Sequence, residues 1–439
     1  MLFEITLTRM FSIILWYNYA FMAISVAFFG LGIGALVIHL IRDKIRTENL
    51  PSKILGASIA FGISLPIFLF LIGYAIPPST SFIYLFFLVA SIPFFFAGIS
   101  MALIYLAMPK EVTKLYFVDL AGAAGATLIL DYLLQGFGAE SLVLFIGILV
   151  TAPPIIASLS LNRQSTDHVP VARVEKKLII IGIIFVSVVS ALLGANFGFN
   201  VLAISPGENK GLNSYLADSS NNRHLSAQWN SFSRIDVIGH KNMDAKSRTV
   251  GSILIDADAL TPLLRWNGSI ADIQWLKNFM DYMPYEISGN NNNNNKTLVI
   301  GSGGGEDVLV ALAGGAKNVT AVELNPLIIS AAKRFGGSLA GNLYDRKDVH
   351  LFIDDGRRFI SSTNSKYDKI VIKLVDSWAA QLAGGYALSE NYLYTVEAFK
   401  QYLQHLNGNN GMLVMVRWNI ELPRLMPLVV ESLKQQTNS

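Results

Sequence analysis

The two halves of the chain carry different hydrophobic patterns. Between Phe11 and Phe199 apolar residues come in long unbroken runs, at 16–41, 54–76, 82–107, 115–135, 140–160 and 177–197. A helix needs about 20 apolar residues to cross a hydrocarbon layer about 30 Å thick, so each run predicts one span. Residues 1–199 therefore read as a polytopic α-helical membrane domain of about six helices. Runs that recur over so long a stretch do not fit a cleaved signal peptide. Beyond Phe199 the pattern turns mixed. Residues 200–230, with Pro206-Gly207 and a polar stretch at Asp218–Asn222, predict a linker or irregular cover. Alternation at Arg234–Ile238, Ser252–Ile255 and Leu260–Arg265 predicts strands, and a helix-like stretch follows at Ile270–Met283, closed by Pro284. Residues 200–289 thus make a linker and a small β-rich subdomain, and the asparagine run Asn290–Asn295 a flexible connector.

From residue 290 to 439 short apolar strands alternate with amphipathic helices, as in a doubly wound parallel sheet. Strands are expected at 297–301, 319–323, 349–353, 369–375 and 412–416, with helices near 306–315, 326–335, 356–362, 391–405 and 423–435. Ligands of such sheets bind at the carboxyl ends of the strands, which is where the polar residues of note fall.

Composition agrees with the membrane reading: 52% of residues are hydrophobic and 15% charged. The absence of cysteine removes disulfides, cysteine-ligated zinc, iron–sulfur clusters and a thiol nucleophile. A net charge of +3 makes no field that would gather nucleic acid. The histidines at 39, 168, 224, 240, 350 and 405 have no metal-ligand spacing. Neither a Walker lysine nor a nucleophile elbow is present, which argues against phosphoryl transfer and serine hydrolysis. Within the spans, Trp16, Tyr17 and Tyr19 suit an aromatic belt, and Gly30, Gly32 and Gly34 suit close helix packing. Pro66, Pro93 and Pro153-Pro154 suit kinks. Asp119 and Asp131 either face a cavity that takes a polycation or lie near the ends of a bent, shallow helix.

The chemistry gathers after the first strand of the C-terminal part. Gly301-Ser-Gly-Gly-Gly305 allows a tight turn and close approach of backbone to ligand, the binding role of Gly301, Gly303, Gly304 and Gly305. Where the dinucleotide fingerprint has its third glycine, this chain has Glu306, which would repel a pyrophosphate and attract an ammonium. That favours S-adenosylmethionine or its decarboxylated form over NAD. Glu323 ends the second strand 22 residues after Gly301, the spacing of a ribose-binding acid. Asp354 and Asp355 follow the third strand, where an acid accepts from an adenine amino group. Taken singly each acid also suits a helix N-cap or solvated turn.

The runs Val299-Ile-Gly-Ser-Gly-Gly-Gly-Glu-Asp-Val308, Val319-Thr-Ala-Val-Glu-Leu-Asn-Pro326, Asp354-Asp-Gly-Arg357 and Tyr367-Asp368 resemble spermidine synthase, and more narrowly its membrane-embedded relatives. Glu4-Ile-Thr-Leu-Thr-Arg9, Tyr116-Phe-Val-Asp119, Ser233-Arg-Ile-Asp236 and Ser389-Glu-Asn-Tyr-Leu-Tyr-Thr395 extend the likeness over nearly the whole chain. The resemblance implies a small β subdomain followed by a Rossmann-like domain of the class I methyltransferase type. It also implies aminopropyl transfer from decarboxylated S-adenosylmethionine to a diamine such as putrescine, with no metal. By position, Glu306 would lie near the aminopropyl group, Glu323 would hold the ribose and Asp355 would meet the adenine.

The family has two acids three residues apart after the fourth strand, whereas here the first position is Lys373 and only Asp376 remains. Asp376 then becomes the expected base, helped by Tyr386 or Glu390. Lys373 would repel both cationic substrates unless burial neutralises it, or it pairs with Asp376. Trp275 or Leu276 replaces the family's closing aromatic, and both termini look shortened. Alternatives to aminopropyl transfer are an S-adenosylmethionine-dependent methyltransferase and a non-catalytic polyamine sensor or transporter. Association into a homo-oligomer is left open. Basic residues at 42–53, 110–114 and 163–177 mark cytoplasmic loops, and six spans then put the soluble part on the opposite side. A cytosolic co-substrate favours the cytoplasm instead.

Overall fold

The computed structural model describes residues 1–15, 19, 21–164, 174–241, 247–288, 295–375 and 393–437. They form two compact units: Met1–Lys210 with Trp229–Ser233, and Gly211–Gln228 with Arg234–Ser439.

The first unit is helical: α1 Leu2–Ile14, α2 Met22–Ile41, α3 Leu50–Phe70, α4 Ile83–Ala107, α5 Val112–Gln164 and α6 Lys176–Phe199. Among the described residues five helices are long and apolar enough to cross a membrane. The expected fourth and fifth runs both lie in α5, which breaks at Gly138 (φ 74°, ψ 165°). Kinks were expected at prolines. In α5 the break is instead at this glycine, whose positive φ costs little without a Cβ, while Pro153 and Pro154 stay inside helical backbone. α1 is too short to span, and Leu7, Met10, Phe11 and Ile13 on it are fully buried. Many apolar side chains point outward, among them Phe28, Leu128 and Tyr132 at 74%, 77% and 78% exposure.

Close packing accounts for two of the three glycines on α2. A Cβ at Gly30 would lie 2.5 Å from Phe94 Cβ, and one at Gly34 would lie 2.2 Å from the Phe95 carbonyl oxygen on α4. At Gly32 a Cβ would meet nothing within 4 Å. Asp131 accepts from the Ser231 amide and hydroxyl (both 2.8 Å) and from Gln135 Nε2 (2.6 Å), whereas Asp119 is exposed. Asp131 is thus tied to the chain by three hydrogen bonds. Trp16 and Tyr17 lie outside the described residues.

The second unit begins with α7 Gly211–Ala217 and a four-stranded sheet in the order β1 Asn222–Trp229, β2 Arg234–His240, β3 Thr249–Ile255, β4 Ala259–Leu264. Its first strand falls where a linker was expected. Leu225, Ala227 and Trp229 alternate there with polar His224, Ser226 and Gln228, a period-2 pattern that the linker expectation passed over. The motif residues Arg234 and Asp236 form a buried ion pair (2.8 Å), joined by His224 at 2.8 Å. Short 3-10 turns at Ile270–Asn278 and Met280–Tyr282 replace the expected helix. Pro284 opens the next helix, α8 Met283–Ser288, instead of closing one: proline is tolerated in a first turn, where its missing N–H has no helical partner to lose.

A five-stranded parallel sheet follows, ordered β7 Val349–Ile353, β6 Asn318–Glu323, β5 Lys296–Ile300, β8 Lys369–Lys373, β9 Met412–Val416. Each strand lies within about two residues of its expected place. Residues 289–294 are outside the described set, but Asn295 is buried and its carbonyl accepts from Lys317 N at 2.9 Å, so it belongs to the sheet's edge and not to a connector. Helices α9 Glu306–Ala313, α10 Pro326–Ala331, α11 Gly356–Ser362, α12 Val396–Gln404 and α13 Leu422–Thr437 complete the domain. The period-2 alternation of β5 divides its side chains between two cores. Val299 packs with α9, α10 and the β-rich sheet, while Leu298 and Ile300 pack with Phe399 and Tyr402 of α12. The order reverses between β5 and β8, so the crevice that binds ligands in such sheets opens beside the turn after β5.

Candidate functional site

That turn is built from left-handed backbone: φ is 76° at Gly301, 54° at Gly303 and 99° at Gly305, values that glycine alone adopts without strain. Each of its five N–H groups has an acceptor inside the chain. Gly301 and Ser302 donate to the Val322 carbonyl (2.8 and 3.1 Å), and Gly305 donates to the Ser302 carbonyl (2.9 Å). Gly303 donates to Glu323 Oε2 (2.9 Å) and Gly304 to Thr261 Oγ1 of β4 (2.7 Å). Tyr344, which nothing in the sequence singled out, is buried beneath the turn and donates to the Gly303 carbonyl at 2.7 Å.

The acids stand at successive strand ends. Glu323 closes β6 and is nearly buried, and burial raises its pKa despite the amides of Gly303 and Asn325 that it accepts. Asp354 follows β7, and its Oδ1 accepts from the Asp355 amide (2.9 Å). Asp355 is the N-cap of α11, accepting from Arg358 N at 2.9 Å, so the capping role weighed for these acids is realised there. Glu306 is the first residue of α9.

Lys373, the last residue of β8, sits among carboxylates. Its Nζ lies 3.0 Å from Asp281 Oδ2, 3.4 Å from Glu306 Oε2 and 3.5 Å from Asp307 Oδ1. Burial works against this ammonium, but the three carboxylates outweigh it and hold its pKa above the ordinary lysine value. Burial lifts the Asp307 carboxyl to about 6; Lys373 opposes that rise, and Glu306 and Asp281 add to it. These counter-ions favour the charged form of Lys373, and its expected partner Asp376 lies outside the described residues. Leu374, the next residue, has φ 44°, a conformation that side chains disfavour.

Residues 283–435 match the spermine/spermidine synthase domain. This part of the chain is similar to the spermidine synthase-like family. A polyamine aminopropyltransferase of Sulfurisphaera tokodaii is 38% identical over 60 residues, 14% of this chain and 20% of that protein. Another from Korarchaeum cryptofilum is 30% identical over 96 residues, 22% of this chain and 27% of that protein. The chain thus spans under a third of the length of the curated relatives it matches. Among solved structures, a spermidine synthase from Thermotoga maritima is similar at 16% identity and TM-score 0.34, covering 48% of this chain and 64% of that one.

In this domain the structure brings Gly301–Gly305, Glu306 and Glu323 together at the carboxyl ends of β5 and β6. Asp376, Tyr386 and Glu390 lie outside the described residues. Leu276 is core and Trp275 lies under the Arg248 guanidinium at 4.4 Å. Thr261 and Asp281 went unread because each reaches the site from the β-rich part through tertiary folding, with no local motif to mark it.

Proposed function

We propose that the chain is a membrane-bound spermidine synthase-like aminopropyltransferase, taking decarboxylated S-adenosylmethionine as donor and an amine such as putrescine as acceptor. The saturated glycine turn carries this reading. With all five amides of residues 301–305 engaged inside the chain, none of them is left to cradle a pyrophosphate, while Glu306, Glu323 and Asp354 offer the acceptors that ribose, adenine and ammonium groups require.

In the reaction the amine nitrogen attacks the methylene beside the sulfonium. The carbon–sulfur bond breaks, its electron pair neutralises the sulfur, and the amine proton passes to a carboxylate. Asp376 is the base in this proposal, helped by Tyr386 or Glu390. The helices of the first unit fit a bilayer, since the side chains of Phe28, Leu128 and Tyr132 would otherwise face water.

Calorimetry on the detergent-solubilised chain tests the donor site: a sulfonium nucleoside gives heat and NAD does not. Competition between S-adenosylmethionine and its decarboxylated form decides which group is transferred. Mass spectrometry with a panel of amines reads the product, and Asp376→Asn abolishes it. A signal with NAD alone overturns the reading.

A further inference from the structure

We propose that Lys373 is a tethered competitor of the amine substrate: its ammonium occupies the place that Asp281, Glu306 and Asp307 form for a free alkylammonium, and an amine enters only by displacing it. This rests on the reading above, that the cleft takes an amine.

The placement comes first. β8 pairs with β5 through Ile300↔Ile372, so Lys373 leaves the sheet beside the glycine turn, at the edge where α9 begins with Glu306 and Asp307. Asp281 arrives from the 3-10 turn Met280–Tyr282 and makes the shortest of the three contacts, 3.0 Å. A primary ammonium has three N–H donors and here meets three carboxylates within 3.5 Å. The side chains are mostly covered: 17% of Lys373, 24% of Asp281, 28% of Glu306 and 13% of Asp307 remain exposed. Acids gathered in so sheltered a spot need a cation, because burying charge without a partner is strongly unfavourable. The end of a diamine is the same chemical group as the end of lysine.

Two features favour a competitor over a passive ion pair. Leu374 holds φ 44° directly after the lysine, and backbone of that kind persists where the surroundings over-determine it, most often at functional sites. A tether also presents its group at an effective concentration in the millimolar range or above, so a free amine must exceed that level to enter.

Putrescine binding is measured by calorimetry on the solubilised full chain and on Lys373→Ala and Lys373→Gln. Both variants are expected to bind putrescine at least tenfold more tightly than the unchanged protein. Methylammonium is expected to restore the melting temperature that Lys373→Ala loses, and to leave the unchanged protein where it was. Lys373→Arg, which keeps the charge, binds putrescine as weakly as the unchanged protein. Should Lys373→Ala fail to fold, Lys373→Gln retains the hydrogen bonding and carries the test. The proposal is overturned if neither variant gains affinity while both still bind a sulfonium nucleoside, or if the unchanged protein binds putrescine as tightly as they do. Rescue by calcium but not by methylammonium also overturns it. Absence of sulfonium binding in the unchanged protein is a separate outcome, and refutes the proposed function itself.

Discussion

Asp307 gives the most direct check on the electrostatics of the cleft. Burial raises its carboxyl from 3.8 to about 6. An acid whose folded pKa lies above its unfolded value holds its proton more tightly in the folded state. Its contribution therefore favours folding at low pH, fades as pH climbs from about 4 to about 6, and is a constant cost above that. A rise from 3.8 to about 6, at about 1.4 kcal/mol per pH unit, makes that cost on the order of 3 kcal/mol at pH 8. Asparagine mimics the protonated acid in shape and carries no charge. Asp307→Asn is thus expected to melt several degrees above the unchanged chain at pH 8, since about 1 kcal/mol moves a domain of this size by roughly 2–4 °C. The gap should close toward pH 5. Thermal melts of the detergent-solubilised chain across that range read it directly. A gap that stays flat with pH, or a variant that melts lower at pH 8, would show Asp307 to be ionised throughout as a plain counter-ion of Lys373, and the reasoning would fail.

Five other substitutions probe the packing. Gly304→Ala places a Cβ 2.4 Å from the Pro262 carbonyl oxygen, so the turn must shift, and calorimetry should show nucleoside affinity falling at least about tenfold, within the cost of overpacking. Thr261→Val leaves the Gly304 amide without its acceptor, and about 1–3 kcal/mol of stability should be lost in denaturant melts; an unchanged midpoint would show that the bond is idle. Gly34→Val should destabilise the α2–α4 pair by forcing a Cβ against the Phe95 carbonyl, whereas Gly32→Val, which meets nothing, should melt like the unchanged chain. Asp131→Ala strips the acceptor from the Ser231 amide and hydroxyl, and a lower melting temperature by a few degrees is expected.

The strands of the parallel sheet were legible because Lys296–Ile300, Asn318–Glu323 and Lys369–Lys373 are short β-branched runs, the first two ended by a glycine and an acid, a local signal that burial on both faces reinforces. Asn222–Trp229 carried a weaker signal: Leu225, Ala227 and Trp229 alternate with polar residues, but only Trp229 is buried, and the strand lies at the end of its sheet beside β2. The glycine turn and its acids were legible as a motif. Their partners were not: Thr261, Asp281 and Tyr344 reach the turn or the lysine from 20 or more residues away, where spacing says nothing. The break at Gly138 escaped notice for a related reason, because a glycine in an apolar helix looks the same whether its φ is negative or positive.

The prop under the glycine turn has a practical consequence. The match to the family's domain model begins at residue 283, yet Thr261 and Asp281 both precede that point. Trimming the protein to that matched stretch would give a parallel-sheet fold whose glycine bend has lost its support and whose lysine has lost its nearest counter-ion. The border that homology draws runs through the machinery, and the smallest working fragment of this unit has to begin upstream of β4.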